Sequence, residues 1–365
     1  MKELVRKSVL NIKPYIPGKP IEETKRQFGL KRVIKLASNE NPLGPSPKAQ
    51  NAMRKCISGS HRYPDAQGFY LKKQLAKKFG LLPENFVLGN GSDELIDVLI
   101  KTFVEPDENI ITSTATFLEY EIIAQVNDRQ VKKVPLRYFK YDLGAILELV
   151  DEKTKLIFVA NPNNPTGTYV NKKEVAEFLT SLPEQVLVVF DEAYDTFIDV
   201  ADYPDTLSYL SKKNNVVILK TFSKGYGLAG LRLGYAVACP ELIAYMERVR
   251  QPFNVNIMAQ AAGLAALGDK AFIKKTRRLV LDGKKFIYRE LSKMGLKYVP
   301  SVANFILIDV NKDSVDIFKA MLKLGIIVRD MKQYGLDNFI RVTIASKKEN
   351  IKFIQVLRKV LNISR

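Results

Sequence analysis

Between about residues 86 and 240, short β-branched runs alternate with segments of helical periodicity, and a parallel sheet covered by helices is the architecture that accommodates such alternation. The runs read FVLG, NIITS, LIFVA, VLVVF, VVILKT and LGYAVA. After Asn171, Val175, Phe178, Leu179 and Leu182 fall at helical spacing and Pro183 closes the segment, which predicts a short amphipathic helix. From about residue 255 the pattern changes. A long helical region up to Met294 precedes a strand at YVPSVANFILIDV, a helix around Ile317 to Leu324 and a strand at IRVTIA. The expected fold class is α/β, with a large, mostly parallel-sheet domain at 45–250 covered by helices. A smaller α+β domain is expected from 251–365, completed by the N-terminal arm at 1–44. A chain of 365 residues is long enough to bury both cores. No repeat of 20 to 50 residues and no low-complexity tract interrupts the pattern.

The formal net charge of +18 raises the question of nucleic-acid binding. Its distribution argues against that. The basic residues are scattered as pairs such as Lys72-Lys73, Lys77-Lys78, Lys132-Lys133 and Lys274-Lys275, without a long block or an RNA-binding or zinc-finger signature. A lysine-rich solvated surface, with no nucleic-acid partner, is the expectation. No apolar run approaches the roughly 20 residues that span a bilayer, and the basic N-terminal segment lacks the apolar middle of a signal peptide. A cytoplasmic protein with no membrane partner is therefore expected. Cys56 and Cys239 have no metal-type spacing, so neither a disulfide nor a zinc site is expected.

In open α/β sheets ligands bind beyond the carboxyl ends of the strands, and four such ends carry chemistry. After FVLG, Gly89, Asn90, Gly91 and Ser92 precede a helix with Leu95, Val98, Leu99 and Phe103 on one face. Backbone N–H groups at that helix start suit a phosphate. Equally, Ser92 can be an ordinary N-cap, with Asp93 and Glu94 favourable to the helix dipole. Asp191, after VLVVF, is either a carboxylate set behind a protonated pyridine ring, which supplies the cation a buried carboxylate needs, or a helix-capping residue. Lys224, between Ser223 and Gly225, is either a nucleophilic amine whose pKa is lowered by burial and by Arg232, or a loop lysine at a glycine turn.

Together these segments resemble the histidinol-phosphate aminotransferase family of fold-type I, and the resemblance covers nearly the whole chain. It includes LASNENPLGPSP at 36–47, RYPD at 62–65, GNGSDE at 89–94, TFLEY at 116–120, ANPNNPTG at 160–167 and FDEAY at 190–194. TFSKGYGLAGLRLGY at 221–235, VRQPFNVN at 249–256, and GIIVRD with FIRVTIA near the end extend it. The resemblance implies a pyridoxal 5'-phosphate cofactor held by Lys224 as a Schiff base. Asp191 would pair with the pyridine nitrogen, and Asn164 and Tyr194 would hydrogen-bond the ring hydroxyl oxygen. The cofactor phosphate would rest on the backbone of Gly91, Ser92 and Asp93, on the hydroxyls of Thr221 and Ser223, on Arg232, and on Tyr63 from the second subunit of a homodimer.

Phe117 would stack on the ring, where some relatives have a tyrosine. Arg341 and Arg329 resemble the arginines that meet substrate anions, and Tyr15 and Asn39 complete the implied substrate set. Lys224, Asp191 and Tyr194 form the implied catalytic set. The reaction so implied is ping-pong transamination between histidinol phosphate (imidazole acetol phosphate) and glutamate/2-oxoglutarate, in histidine biosynthesis. Its rivals are an aromatic amino acid aminotransferase, a phospho-amino-acid decarboxylase, and a basic nucleic-acid-binding protein that has kept the fold alone. The sole histidine, His61, is expected at the surface or an interface, because a lysine can carry all the proton transfers.

Overall fold

A computed structural model describes residues 2–10, 12–14 and 16–363. The β-branched runs form β1 (Phe86–Gly89), β2 (Asn109–Ser113), β3 (Gln130–Val134), β4 (Thr154–Ala160), β5 (Leu187–Asp191), β6 (Val216–Thr221) and β7 (Gly234–Val237). They lie side by side in the order β1-β7-β6-β5-β4-β2-β3. All pairings are parallel except the two made by β7. Every residue of β2 and β5 is buried, as expected of strands covered on both faces. The run LGYAVA was expected in a parallel sheet, but it turns back. The link from Thr221 to Gly234 holds only the 3-10 turn Ala229–Leu231, too little for the crossover helix a parallel return needs.

The sequence reading lacks β3. Its QVKKV is an edge strand with exposed positions, and lysines on an edge discourage pairing with other chains, so its composition resembles surface rather than strand. The helix Lys172–Ser181 forms as predicted: Asn171 and Glu174 make a reciprocal capping box, and Val175, Phe178 and Leu179 are buried.

A second core is built on β8 (Tyr298–Val299), β9 (Phe305–Asp309), β10 (Arg329–Asp330) and β11 (Phe339–Thr343), ordered β10-β11-β9-β8 and antiparallel throughout. The expected single strand YVPSVANFILIDV is thus two strands folded against each other across residues 300–304, where Pro300 cannot donate to a ladder. Ile34–Lys35 pairs with Ile326–Ile327 and ties the N-terminal segment to this unit. The helical region expected up to Met294 is two helices, Ile257–Leu267 and Lys270–Lys293. Asp269 caps the second by accepting from Phe272 N. The first of these helices puts Ala259, Ala262 and Ala266 into the first core, whereas the sequence reading assigns everything after 250 to the smaller unit.

A third apolar cluster joins the two. Ala115 meets Val299, Leu307, Met331 and Tyr334, with Leu118, Leu136, Phe139 and Phe339 packed around them. Among the described residues no helix is long and apolar enough to cross a membrane.

Candidate active site

The reversal of β7 brings three strand ends together. Gly89 at the end of β1 is opposite Gly234 at the start of β7, and Gly234 is opposite Thr221 at the end of β6. Gly91, at φ 84°, caps the helix Ser92–Phe103, so Ser92 is its first residue and not the side-chain cap that one reading of the sequence allowed. A Cβ on Gly234 would lie 2.7 Å from both the Gly91 carbonyl carbon and the Ser92 nitrogen. Only glycine lets these backbones meet. The N–H groups of the first helical turn are left without intrahelical partners, as an anion site requires. Around them stand Thr221 and Ser223, whose hydroxyls are 3.0 Å apart, and Arg232, which contacts Asp93 at 2.9 Å.

Asp191 ends β5 and is buried. Its carboxylate accepts from Tyr120 Oη at 2.6 Å and from Ala193 N at 3.1 Å, so it is not a helix cap. Burial pushes its pKa up to about 6, against those two hydrogen bonds, which lower it. Lys224 is half-buried and donates to Ser38 O at 3.2 Å. Its pKa is pulled down to about 8, first by burial, then by Arg341 and, more weakly, Arg232, against the raising influence of Asp93 and Glu40. The sequence reading credited Arg232; Arg341 is the stronger cation.

The opposite wall comes from the second core. Arg329 and Arg341 are Cα partners on adjacent strands, and both are buried. Arg341 donates to Asn164 Oδ1 and, at 2.6 Å, to Ala37 O, while its Nε is buried with no hydrogen-bond partner. Arg329 donates to Gln333 at 3.2 Å. Asn39, held in the left-handed region at φ 55°, donates to Tyr194 Oη at 3.0 Å and exchanges hydrogen bonds with Thr343. Burial raises the Tyr194 phenol above its usual pKa, with Arg341 opposing.

These groups converge. A cavity of about 300 Å³ is lined by Lys224, Asp191, Tyr194, Asn164, Asn39, Ser92, Asp93, Phe117, Thr221, Ser223, Arg232, Arg329 and Arg341. Gly91 shapes it from one residue behind. Tyr63 does not line it: the residue is 82% exposed, and its ring stacks on Phe253 at 4.7 Å. Tyr15 lies outside the described residues. Sequence reasoning assigned no role to Tyr120, although it stands in TFLEY three residues after Phe117. It also missed Lys220, buried at the end of β6, which donates to Glu192 and Asp195 at 2.6 Å each. A lone lysine inside VVILKT was the available signal, since a buried ammonium needs acids nearby.

The family model for aminotransferases of class I and II matches residues 31–357. The histidinol-phosphate aminotransferase of Moorella thermoacetica is 48% identical over 357 residues, covering 98% of this chain and 92% of that protein. This chain belongs to the histidinol-phosphate aminotransferase family. A second member, histidinol-phosphate aminotransferase 2 of Carboxydothermus hydrogenoformans, is 45% identical and covers 99% of this chain and 100% of its own length. The structure of the Sinorhizobium meliloti histidinol-phosphate aminotransferase, in complex with pyridoxal-5'-phosphate, superposes with a TM-score of 0.88 at 29% identity, covering 94% of this chain and 95% of that one. The class is the aminotransferases, and the cavity has the donor set such chemistry uses: an anion cup, a buried carboxylate and an amine of lowered pKa.

Proposed function

We propose that this family member transfers the amino group between histidinol phosphate and 2-oxoglutarate with pyridoxal phosphate as cofactor. The observation that carries the substrate reading is the arginine pair. Two guanidinium groups on buried, register-paired positions put two cations into the lining of one cavity, and the paired N–H donors of a guanidinium suit phosphate and carboxylate alike. One site can therefore take a phosphate in one half-reaction and a dicarboxylate in the other.

The residues present fit the cofactor. The helix start at Gly91, Ser92 and Asp93, with Thr221, Ser223 and Arg232, suits its phosphate; Asp191 suits its ring nitrogen; Asn164 and Tyr194 suit its ring hydroxyl; Phe117 suits its face. When bound, pyridoxal phosphate supplies an aldehyde that captures amines and a ring that accepts the electrons left on the substrate α-carbon. Asp191 holds the proton on the ring nitrogen, which offsets the burial of its own charge. Lys224 Nζ, once free, takes the α-proton as general base, a task its lowered pKa favours near neutral pH. Arg341 and Arg329 fix the substrate anion so that the α-carbon stays within reach of that amine.

The same reading includes a homodimer, in which Tyr63 serves the neighbouring subunit's site, and a cytoplasmic setting. The two cores support a division of the chain into a cofactor-binding unit and a smaller unit that carries the arginines. The test is turnover of histidinol phosphate, phenylalanine and tyrosine side by side with 2-oxoglutarate. The expected order puts histidinol phosphate first by one to two powers of ten, about what a charge-assisted phosphate contact contributes. Equal specificity constants would favour the aromatic aminotransferase instead.

A further inference from the structure

The turn at Tyr138-Phe139 has a conformation that its residues do not favour. Arg137 and Lys140 exchange backbone hydrogen bonds at 2.9 and 3.1 Å, and both residues between them have positive φ, 51° and 65°. That is the pattern of a two-residue hairpin turn that ordinarily takes Asn-Gly. Two aromatic residues in the left-handed region persist only where their surroundings hold them there. Tyr138 is 86% exposed and gains no burial. Phe139 is different. Its ring meets Phe339 edge to face at 5.4 Å, and its carbonyl accepts from Thr168 Oγ1 at 2.7 Å.

Those two contacts reach the substrate wall from both sides. Residues two apart on a strand share a face, so Phe339 and Arg341 project from the same side of β11, about 7 Å apart along the strand. Thr168 belongs to the loop that also carries Asn164, and Asn164 accepts from Arg341. The hairpin thus braces the loop and the strand whose side chains meet at the arginine.

We propose that Phe139 is a positioning residue that sets where Arg341, and Arg329 beside it, stand over the cavity. This rests on the reading of those arginines as the substrate-anion wall. The test compares holoenzyme kinetics of three variants with wild type, using histidinol phosphate and 2-oxoglutarate. Phe139→Ala raises KM for both by about tenfold with kcat within about twofold, the signature of a displaced binding group and not of damaged chemistry. Phe139→Leu recovers most of the loss. The double change Tyr138→Asn with Phe139→Gly installs the favoured turn pair: it unfolds at a higher temperature than Phe139→Ala, yet keeps the raised KM.

Wild-type KM in the double variant overturns the proposal, because the ring would then be dispensable once the turn is relaxed. A parallel loss of kcat and of cofactor absorbance in Phe139→Ala also overturns it, since the role would be structural only. Arg341→Met separates the underlying reading. Unchanged KM there removes the arginine assignment itself, whereas a raised KM there with wild-type values in the Phe139 variants removes only the brace.

Discussion

Lys224 is an amine whose pKa is lowered to about 8 by its surroundings, and this makes its reactivity a function of pH that can be measured. The apoenzyme should capture pyridoxal phosphate faster as pH rises through about 8, and not only above 10, because the neutral amine accumulates there. Arg341→Met removes the larger of the two depressing cations and should move that midpoint upward; stopped-flow absorbance of the adduct reads it, and an unmoved midpoint would mean that Arg341 does not act on the amine. Tyr120 offers a second test. Its hydrogen bond lowers the Asp191 pKa, so Tyr120→Phe should move that carboxyl above about 6 and cut kcat by about ten- to a hundredfold, the worth of a hydrogen bond to a charged group. Unchanged kcat would reduce Tyr120 to a core residue stacked on Phe158. The placement of Asp191 and Lys224 at the cavity was legible in the sequence because strand ends in such sheets face ligands. Tyr120 was not, because a buried aromatic at a helix start has the same pattern whether it packs or tunes a carboxylate.

The ends of β5 and β6 must hold Asp191 and Lys224 in fixed relation, and the clamp between them is ionic. Lys220 lies between Glu192 and Asp195, and Thr206 donates to Glu192. Burial pulls the lysine pKa down, but the two acids more than offset this and hold it above the ordinary lysine value. Lys220→Met leaves Glu192 buried without its cation and should cost about 3–5 kcal/mol of stability, read by chemical denaturation. Replacing Glu192 by Leu in the same chain should recover part of it; no recovery would mean that Lys220 acts through packing alone. The strongly patterned elements were readable, as with Lys172–Ser181, where cap, periodicity and stop agree. The reversal of β7 was not, since direction depends on the length of a link and not on the composition of a strand.

At the scale of the whole molecule, Ile57, Tyr63, Phe69, Tyr70 and Phe253 are large side chains left exposed in and near the RYPD and VRQPFNVN segments, with Tyr63 stacked on Phe253 and Phe69 against Tyr70. A second copy covering them, with Tyr63 reaching its neighbour's cavity, gives a definite expectation. Inactive Tyr63→Ala and inactive Lys224→Ala chains, mixed and reassembled, should regain activity, because one site of each hybrid receives intact residues from both subunits. Reassembled hybrids without activity would place Tyr63 outside the reaction. The close meeting of Gly234 with the Gly91–Ser92 peptide has a different kind of consequence. The floor of that cup is main chain, which mutation can destroy but cannot adjust, while the facing wall carries guanidinium groups that can be exchanged one at a time. A lineage descending from this protein can therefore explore new substrates through β10 and β11 long before it can change what the cup at the helix start holds.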